Sequence, residues 1–288
     1  MRISLILTGS DRHEDLSRFY FSLFDAEIDK FRTVELVFVN QGNFTPPLLS
    51  VSSKWLVHLE LKRGRLPLSC ARNIGIQYSS GDVLGFPDDD CWYSSSVLEQ
   101  VAEYFESHPS VAAICTNVYD PKVERSYGGR PIGVNVAVDF RNLFELPISV
   151  GIFVRRTAFE AAGFYFDEQL GAGTALGSGE ETDLIYRLLR SGALVEYVGS
   201  IQVFHPVPEY QEADILKYRR YGLGFGYLNG RIVRDGEWRV LYHFGFVLMR
   251  SLGGAVMNLH RSTSRRLYWN RLLGIVQGFV RGVRGLPC

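Results

Sequence analysis

Cysteine is scarce in this 288-residue chain. Its four residues, Cys70, Cys91, Cys115 and Cys288, form no CxxC pair. That spacing argues against a zinc ribbon and a disulfide framework, and the thiols read as reduced and cytosolic. No G-x-G-x-x-G follows the first apolar segment, which disfavours a dinucleotide-binding dehydrogenase. A glycine-rich basic loop is also missing there. Thr8-Gly9-Ser10-Asp11 is short and acidic, against the phosphate loop expected of a nucleotidyltransferase. Met1-Arg2-Ile3-Ser4-Leu5-Ile6-Leu7 is too short for a signal-peptide core and lacks a cleavage pattern, so it reads as a first strand. Internal repeats and low-complexity segments are absent. So is net charge, with 31 Lys and Arg against 31 Asp and Glu. That balance hides an asymmetry. From Tyr210 onwards there are 13 basic and 4 acidic residues, so the tail is +9 and residues 1–209 are −9. The expectation is an acidic catalytic body, residues 1–209, and a basic helical extension, residues 210–288, that faces an anionic surface.

The chain is organised around Val83-Leu84-Gly85-Phe86-Pro87-Asp88-Asp89-Asp90-Cys91-Trp92. A short apolar run of buried-strand character ends in three consecutive carboxylates. Open α/β sheets bind ligands at the C-terminal ends of their strands. Adjacent carboxylates repel one another, and a hard divalent cation carrying a phosphate relieves that repulsion. The run therefore points to a metal–nucleotide site. The plain alternative is a solvated acidic turn or helix cap.

Strands are expected at Ile3–Leu7, Val34–Val39, Trp55–Leu61, Asp82–Phe86 and Val111–Asn117. Helices are expected over 13–26, Leu68–Tyr78 and 97–106, with a short helix or loop at 45–53. This alternation predicts a mostly parallel sheet covered on both faces. Residues 119–146 read as irregular. Then come a strand at Ser149–Val154, a helix at Thr157–Ala162, a flexible glycine loop at Gly171–Gly179, a helix from Glu180 to Leu189 with an acidic first turn, and a strand at Val195–Phe204. Residues 211–229 read as a helix loosened by Gly222-Leu223-Gly224-Phe225-Gly226.

Four polar places fall at strand ends on one expected sheet edge: Thr8–Asp11, Asn40–Asn43, Asp88–Asp90 and His205. Each alone has an ordinary reading, Asn40 as a turn residue and His205 as a surface or core histidine. Their joint placement favours one crevice. Arg72 sits one helix before the acids and has the fork geometry for a phosphate or base, or is a helix-surface arginine. Glu180, Glu181 and Asp183 are either acids placed for the helix dipole or a source of a general base.

Ala71-Arg72-Asn73-Ile74-Gly75, then Gly81-Asp82, then Phe86-Pro87-Asp88-Asp89-Asp90, and later Gly179-Glu180-Glu181-Thr182-Asp183 together resemble family 2 glycosyltransferases of the GT-A fold, from about Ile3 to about His205. The resemblance implies an α/β fold with a central, mostly parallel sheet, and an inverting sugar transfer from a nucleotide-diphospho-sugar donor. Asp88, with Asp89 beside it, would lie near the nucleoside, with Thr8, Asn40, Gln41 and Arg72 also holding the nucleotide. Asp90, with His205, would hold Mg²⁺ or Mn²⁺. Glu181 matches the catalytic base, with Glu180 and Asp183 as substitutes. The chain departs from the family pattern in carrying Glu181 where Asp is usual, and Asn40-Gln41 where two Asp are common. The alternatives are another metal–nucleotide enzyme, such as a nucleotidyltransferase, and a non-catalytic membrane-surface scaffold.

Trp238–Leu259 is about long enough to span a bilayer, which takes roughly 20 apolar residues. Arg250 near its middle argues instead for helices lying in the headgroup region. Packing of the same helices on the body, or on a second copy, is the plain alternative. The expected partners are a nucleotide-sugar donor, a glycan or polyprenyl-linked acceptor of surface-polysaccharide assembly and a membrane surface, with no nucleic acid. The expected location is cytoplasmic, peripheral on the inner face of the cell membrane.

Overall fold

Two apolar runs, Arg2–Gly9 (β1) and Thr33–Asn40 (β2), are buried at every position after their first residue. On β1, Ile3, Leu5 and Leu7 face one core and Ile6 faces the other, the period-2 alternation of a strand. A strand buried on both faces needs a cover on both, as parallel sheets have. The computed structural model describes residues 1–28, 32–47, 56–207, 214–260 and 262–286. Residues 48–53 of the expected short helix or loop, Trp55 of the third strand and Cys288 lie outside the described residues.

The remaining elements in chain order are α1 (His13–Phe24), β3 (Leu56–Lys62), α2 (Leu68–Gln77), β4 (Val83–Gly85), β5 (Trp92–Tyr93), α3 (Val97–Ser107), β6 (Val111–Asp120), β7 (Arg125–Ser126), β8 (Asn135–Ala137), β9 (Ile152–Arg155), α4 (Arg156–Ala161), α5 (Glu180–Arg190), β10 (Leu194–Phe204), α6 (Ile215–Arg234), α7 (Leu241–Met257) and α8 (Ser262–Arg284). The sheet runs β3-β2-β1-β4-β9-β6-β10-β5, with β7 on β6 and β8 on β10. β3, β2, β1 and β4 are parallel, as are β6 and β10. One core packs α1 and α3 on the sheet, and the other packs α2, α4, α5 and α6.

The expected α/β architecture with a mostly parallel sheet is present, with one reversal in its middle. β9 runs antiparallel between β4 and β6. The chain returns from its long excursion over residues 121–148 at the edge where β1 and β4 end, so it must enter the sheet from that side. The reversal sets Ser149, just ahead of β9, at the strand-end edge.

The C-terminal helices correct a second expectation. Gly222, Gly224 and Gly226 do not loosen a helix: α6 is continuous from Ile215 to Arg234. The glycines serve close approach instead. A Cβ at Gly222, Gly226 or Gly230 would sit 2.4, 2.1 or 2.3 Å from backbone carbonyl oxygens of α8. One at Gly274, Gly278 or Gly282 would sit 2.3, 2.1 or 2.1 Å from carbonyl oxygens of α6. Small residues every fourth position on both partners let two helix backbones touch, as in small-xxx-small pairs. α6 is also part of the body, since Leu228, Ile232 and Val233 are buried in the same core as Leu184 and Ile185 of α5.

Gly278→Ala should therefore cost about 1–3 kcal/mol through overpacking, seen as a fall of several degrees in melting temperature. Gly253→Ala is the control. Nothing lies within 4 Å of its added methyl, so helix propensity alone should raise stability by about 0.5–1 kcal/mol. Equal melting temperatures for the two variants would refute the packing role.

Candidate active site

Backbone pairing brings the acidic run to the end of β1. Thr8 forms a parallel bridge with Asp88, beyond the point where β4 stops. Gly9 is required there, because a Cβ at this position would lie 2.9 Å from the Cβ of Asp89. The run is thus a turn on the sheet edge, beside Ser10 to Arg12.

Arg72, on α2, is fully buried. Its guanidinium donates to Asp88 Oδ1 at 2.8 Å, to Ser149 Oγ at 2.6 Å and to Glu180 Oε1 at 3.2 Å. It also lies 5.4 Å from the Phe166 ring centroid, a cation–π distance. Its neighbour Asn73 exchanges hydrogen bonds with the backbone of Phe166, at 2.7 and 3.0 Å, and so fixes α2 to the segment before the glycine loop. Arg72 is neither the helix-surface arginine of the plain reading nor an open ligand contact. It joins the acidic turn to the start of α5.

Asp90 faces two cationic groups. His205 Nε2 lies 3.0 Å from its Oδ1, and Arg12 Nη1 bonds its Oδ2. Arg12 also lies 3.3 Å from Asp89. Burial alone would raise the Asp90 carboxyl, but His205 and Arg12 outweigh it and bring it down to about 2. Asp89 goes the other way, up to about 6, because burial and the charges of Asp90 and Asp88 exceed the attraction of Arg12. Burial would lower His205, yet its contact with Asp90 raises it above its usual value. The strand end positions this histidine: its N–H donates to Tyr119 O at 3.0 Å, where β10 runs beside β6. Arg18 of α1 closes the same edge, with its guanidinium carbon 4.1 Å above the Trp92 ring and Nη2 donating to Asp90 O at 3.1 Å.

α5 begins at Gly179, whose φ of +100° suits glycine. The glycine loop ahead of it is tied on both sides. Leu68 N donates to Ala172 O at 2.9 Å, Ser69 Oγ to Leu170 O at 2.7 Å and Ser178 Oγ to Tyr221 O at 3.1 Å. Glu180 is buried against Arg72. Glu181 is half-buried as a residue with an enclosed carboxyl, and burial together with the charge of Glu180 raises it well above the usual range. Asp183 lies elsewhere: Arg187 Nε bonds it at 2.9 Å and Arg231 of α6 bonds its other oxygen. It fastens α5 to α6.

Asn40 and Gln41 close the adjacent end of β2. Asn40 Nδ2 donates to Phe44 O and Glu60 Oε1, both at 2.7 Å, and its Oδ1 accepts from Gly42 N at 3.1 Å. Gln41 Oε1 accepts from Leu66 N at 2.6 Å. Both amides hold the loop. Thr8, Arg72, Asp88, Asp89, Asp90, His205, Glu180 and Glu181 thus form one linked cluster, Asn40 and Gln41 flank it, and Asp183 stands apart. Arg12 and Ser149 were not anticipated. Arg12 had a signal, lying four residues after Thr8 on the same edge, whereas Ser149 had none because it depends on the reversal of β9.

Among the described residues no group of three or more His, Cys, Asp or Glu side chains is set to hold a metal ion. The chemistry of Asp90 and His205 nonetheless fits a hard divalent cation that takes its other ligands from phosphate and water. His205 Nδ1 lies 2.6 Å from Pro206 O, the kind of contact that fixes the ring and leaves Nε2 as the ligand atom.

Arg72→Met keeps most of the volume but leaves Asp88 and Glu180 facing no guanidinium. It should cost about 3–5 kcal/mol in denaturant unfolding, and a loss under 1 kcal/mol would refute the strut. The Asp90–His205 pair has its own pH signature. The folded pKa of Asp90 is depressed, so its contribution is present above pH 3.8 and lost as pH falls towards about 2. That of His205 is raised, so its contribution is fully present below pH 6.5 and lost as pH rises through the raised value. Melting temperatures between about pH 6.5 and 8.5 should fall more steeply for the native chain than for His205→Gln, and parallel curves would contradict the pairing.

The glycosyl transferase family 2 sequence model matches residues 11–159, just over half the chain. Comparison with curated protein sequences gives no match. Among solved structures, the TarS 1-349 fragment of S. aureus superposes with a TM-score of 0.61 at 18% identity, covering 98% of this chain and 81% of that one. The same fragment in complex with UDP-GlcNAc gives 0.57 at 15%, covering 99% and 93%. The mannosyltransferase PcManGT of Pyrobaculum calidifontis, in complex with GDP-Man and Mn²⁺, gives 0.60 at 12%, covering 97% and 86%. At these identities the structures speak for the shared GT-A fold. The family match covers Arg12, Arg72, the acidic run and the whole of β9, and by it the chain belongs to glycosyl transferase family 2 and is a glycosyltransferase that uses a nucleotide-sugar.

Proposed function

We propose that this enzyme is a metal-dependent, inverting transferase that moves a sugar from a nucleotide-diphospho-sugar to a hydroxyl of a glycan or lipid-linked acceptor, in assembly of a surface polysaccharide such as capsule, exopolysaccharide or O-antigen. The observation that carries the reading is the bridge through Arg72, which couples the acidic turn of Asp88–Asp90 to the helix start that bears Glu180 and Glu181.

Thr8, Asp88 and the turn built on Asn40 and Gln41 wall the nucleoside site. Asp90 and His205 Nε2 would hold a divalent cation, which when bound would offset the charge that grows on the departing diphosphate. Arg12, now on Asp89 and Asp90, is the chain's own counter-charge at this place and can turn to the phosphates. Glu181 takes the proton of the acceptor hydroxyl. Burial and the charge of Glu180 raise the pKa of Glu181, which makes its ionised form a stronger base than an ordinary carboxylate. The hydroxyl oxygen bonds the anomeric carbon as the bond to the diphosphate breaks, and the single displacement inverts that carbon. Asp183 keeps α5 in place and is not the base, since both of its oxygens are bonded by arginines. The solved neighbours that carry UDP-GlcNAc, or GDP-Man with Mn²⁺, support a donor of this class.

Calorimetric titration of the folded protein with UDP, GDP and CDP, each with and without Mn²⁺, should show metal-dependent binding of one nucleotide that Asp90→Ala abolishes. Binding of none by folded protein would overturn the reading. Glu181→Gln should keep that binding and lose about 10²–10⁴-fold in turnover, and unchanged turnover would remove Glu181 as the base.

A further inference from the structure

We propose that the outward faces of α7 and α8 form a docking platform for an anionic lipid bilayer surface. α7 is apolar on both sides. Val247, Ser251 and Ala255 are buried, with Phe244 4.6 Å from Phe279 of α8 and Gly254 against Tyr268. At about 100° per residue, the opposite face carries Tyr242, Phe246, Met249 and Val256, between 56% and 81% exposed. α8 repeats the arrangement. Gly274, Gly278 and Gly282 seat it on α6, and the far side presents Trp269, Leu273, Val276, Val280 and Val283, all exposed. Nine large apolar side chains in two rows far exceed the scattered apolar residues of an ordinary soluble surface.

Charge identifies what covers them. From Leu241 to Cys288 the chain has seven arginines and no Asp or Glu. Arg250, on the shoulder of the α7 row, is exposed and has no ion-pair partner among the described residues. A two-fold contact with a second copy would set this acid-free surface against itself. An anionic leaflet complements it, at about 1 kcal/mol for each Lys or Arg near the surface. The segment Trp238–Met257 has the length and mean hydropathy, 1.3, to cross a membrane. Crossing would strip its packed face from α8 and place Arg250 in hydrocarbon at roughly 2.5–3.5 kcal/mol. Lying in the headgroup layer keeps both.

The platform is joined to the active site. α8 touches α6 backbone to backbone, Gly224 of α6 meets the carbonyls of Leu176 and Ser178, and Arg231 bonds Asp183 beside Glu181. Bilayer docking would therefore hold the start of α5 at a defined place relative to the lipid. That consequence rests on the transferase reading, whereas the docking itself does not.

The full chain should co-sediment with phosphatidylcholine vesicles containing about 30% phosphatidylglycerol, far less with phosphatidylcholine alone, and less at high salt. The triple variant Tyr242→Ser, Phe246→Ser, Met249→Ser should lose affinity by about tenfold or more. Val123→Ser with Ile132→Ser, exposed on the body, should not. As a reading independent of any variant's folding, brominated lipid should quench tryptophan fluorescence of the native chain, and Trp269→Phe should reduce that quenching. Absence of binding to anionic vesicles, equal binding by the folded triple variant, or a dimer dispersed by that variant without any vesicle binding would each overturn the proposal. Donor titration requires no lipid, so failure there and failure here are separate results.

Discussion

A buried guanidinium with no contact to solvent holds together three elements distant in sequence. Arg72 reaches Asp88 at the sheet edge, Ser149 at the entry of β9 and Glu180 at the start of α5. An arginine costs several kcal/mol to desolvate, and its carboxylates cost as much again. Such an arrangement persists only when each charge has its partners, so the three elements are obliged to meet at Arg72. Asn73, one residue on, bonds the Phe166 backbone, which brings the glycine loop and α5 over the same edge.

The charge pattern around that strut divides the acids into different states. Asp90, with two cationic partners, is held ionised. Asp89, less well served, sits near pH 6. Glu181, enclosed beside Glu180, is pushed well up. Carboxylates whose environments drive their pKa values apart are suited to separate tasks. Here Asp90 stays ionised between His205 and Arg12, while Glu181 is the carboxyl that keeps a proton more readily.

Much of this was legible in the order of residues. The alternation of apolar runs and helical stretches is local, and both periodicities are strong in β1, β2 and α3. The acidic run and His205 fall at strand ends, and parallel strands bring their ends to one edge. Other features depend on partners that no local window contains. Asn40 reads as a turn residue or a nucleotide contact, and only the fold brings Glu60 and Phe44 to its amide hydrogens. Asp183 is one of three acids in a first turn until Arg231 arrives from α6. β9 is a strand in any reading, but its direction follows from where the chain re-enters the sheet.

The glycines of α6 show most plainly why composition misleads. In an isolated helix each costs about 1 kcal/mol relative to alanine, so a cluster reads as a weakness. Facing a second set of glycines at the same spacing, they admit backbone contact that no side chain would allow. The cost in propensity is then a condition for close packing. That packing has a functional consequence because α6 is shared: one face carries α8, and another meets the glycine loop and Asp183. A surface built on α8 is thus tied through α6 to α5, the helix that carries Glu181.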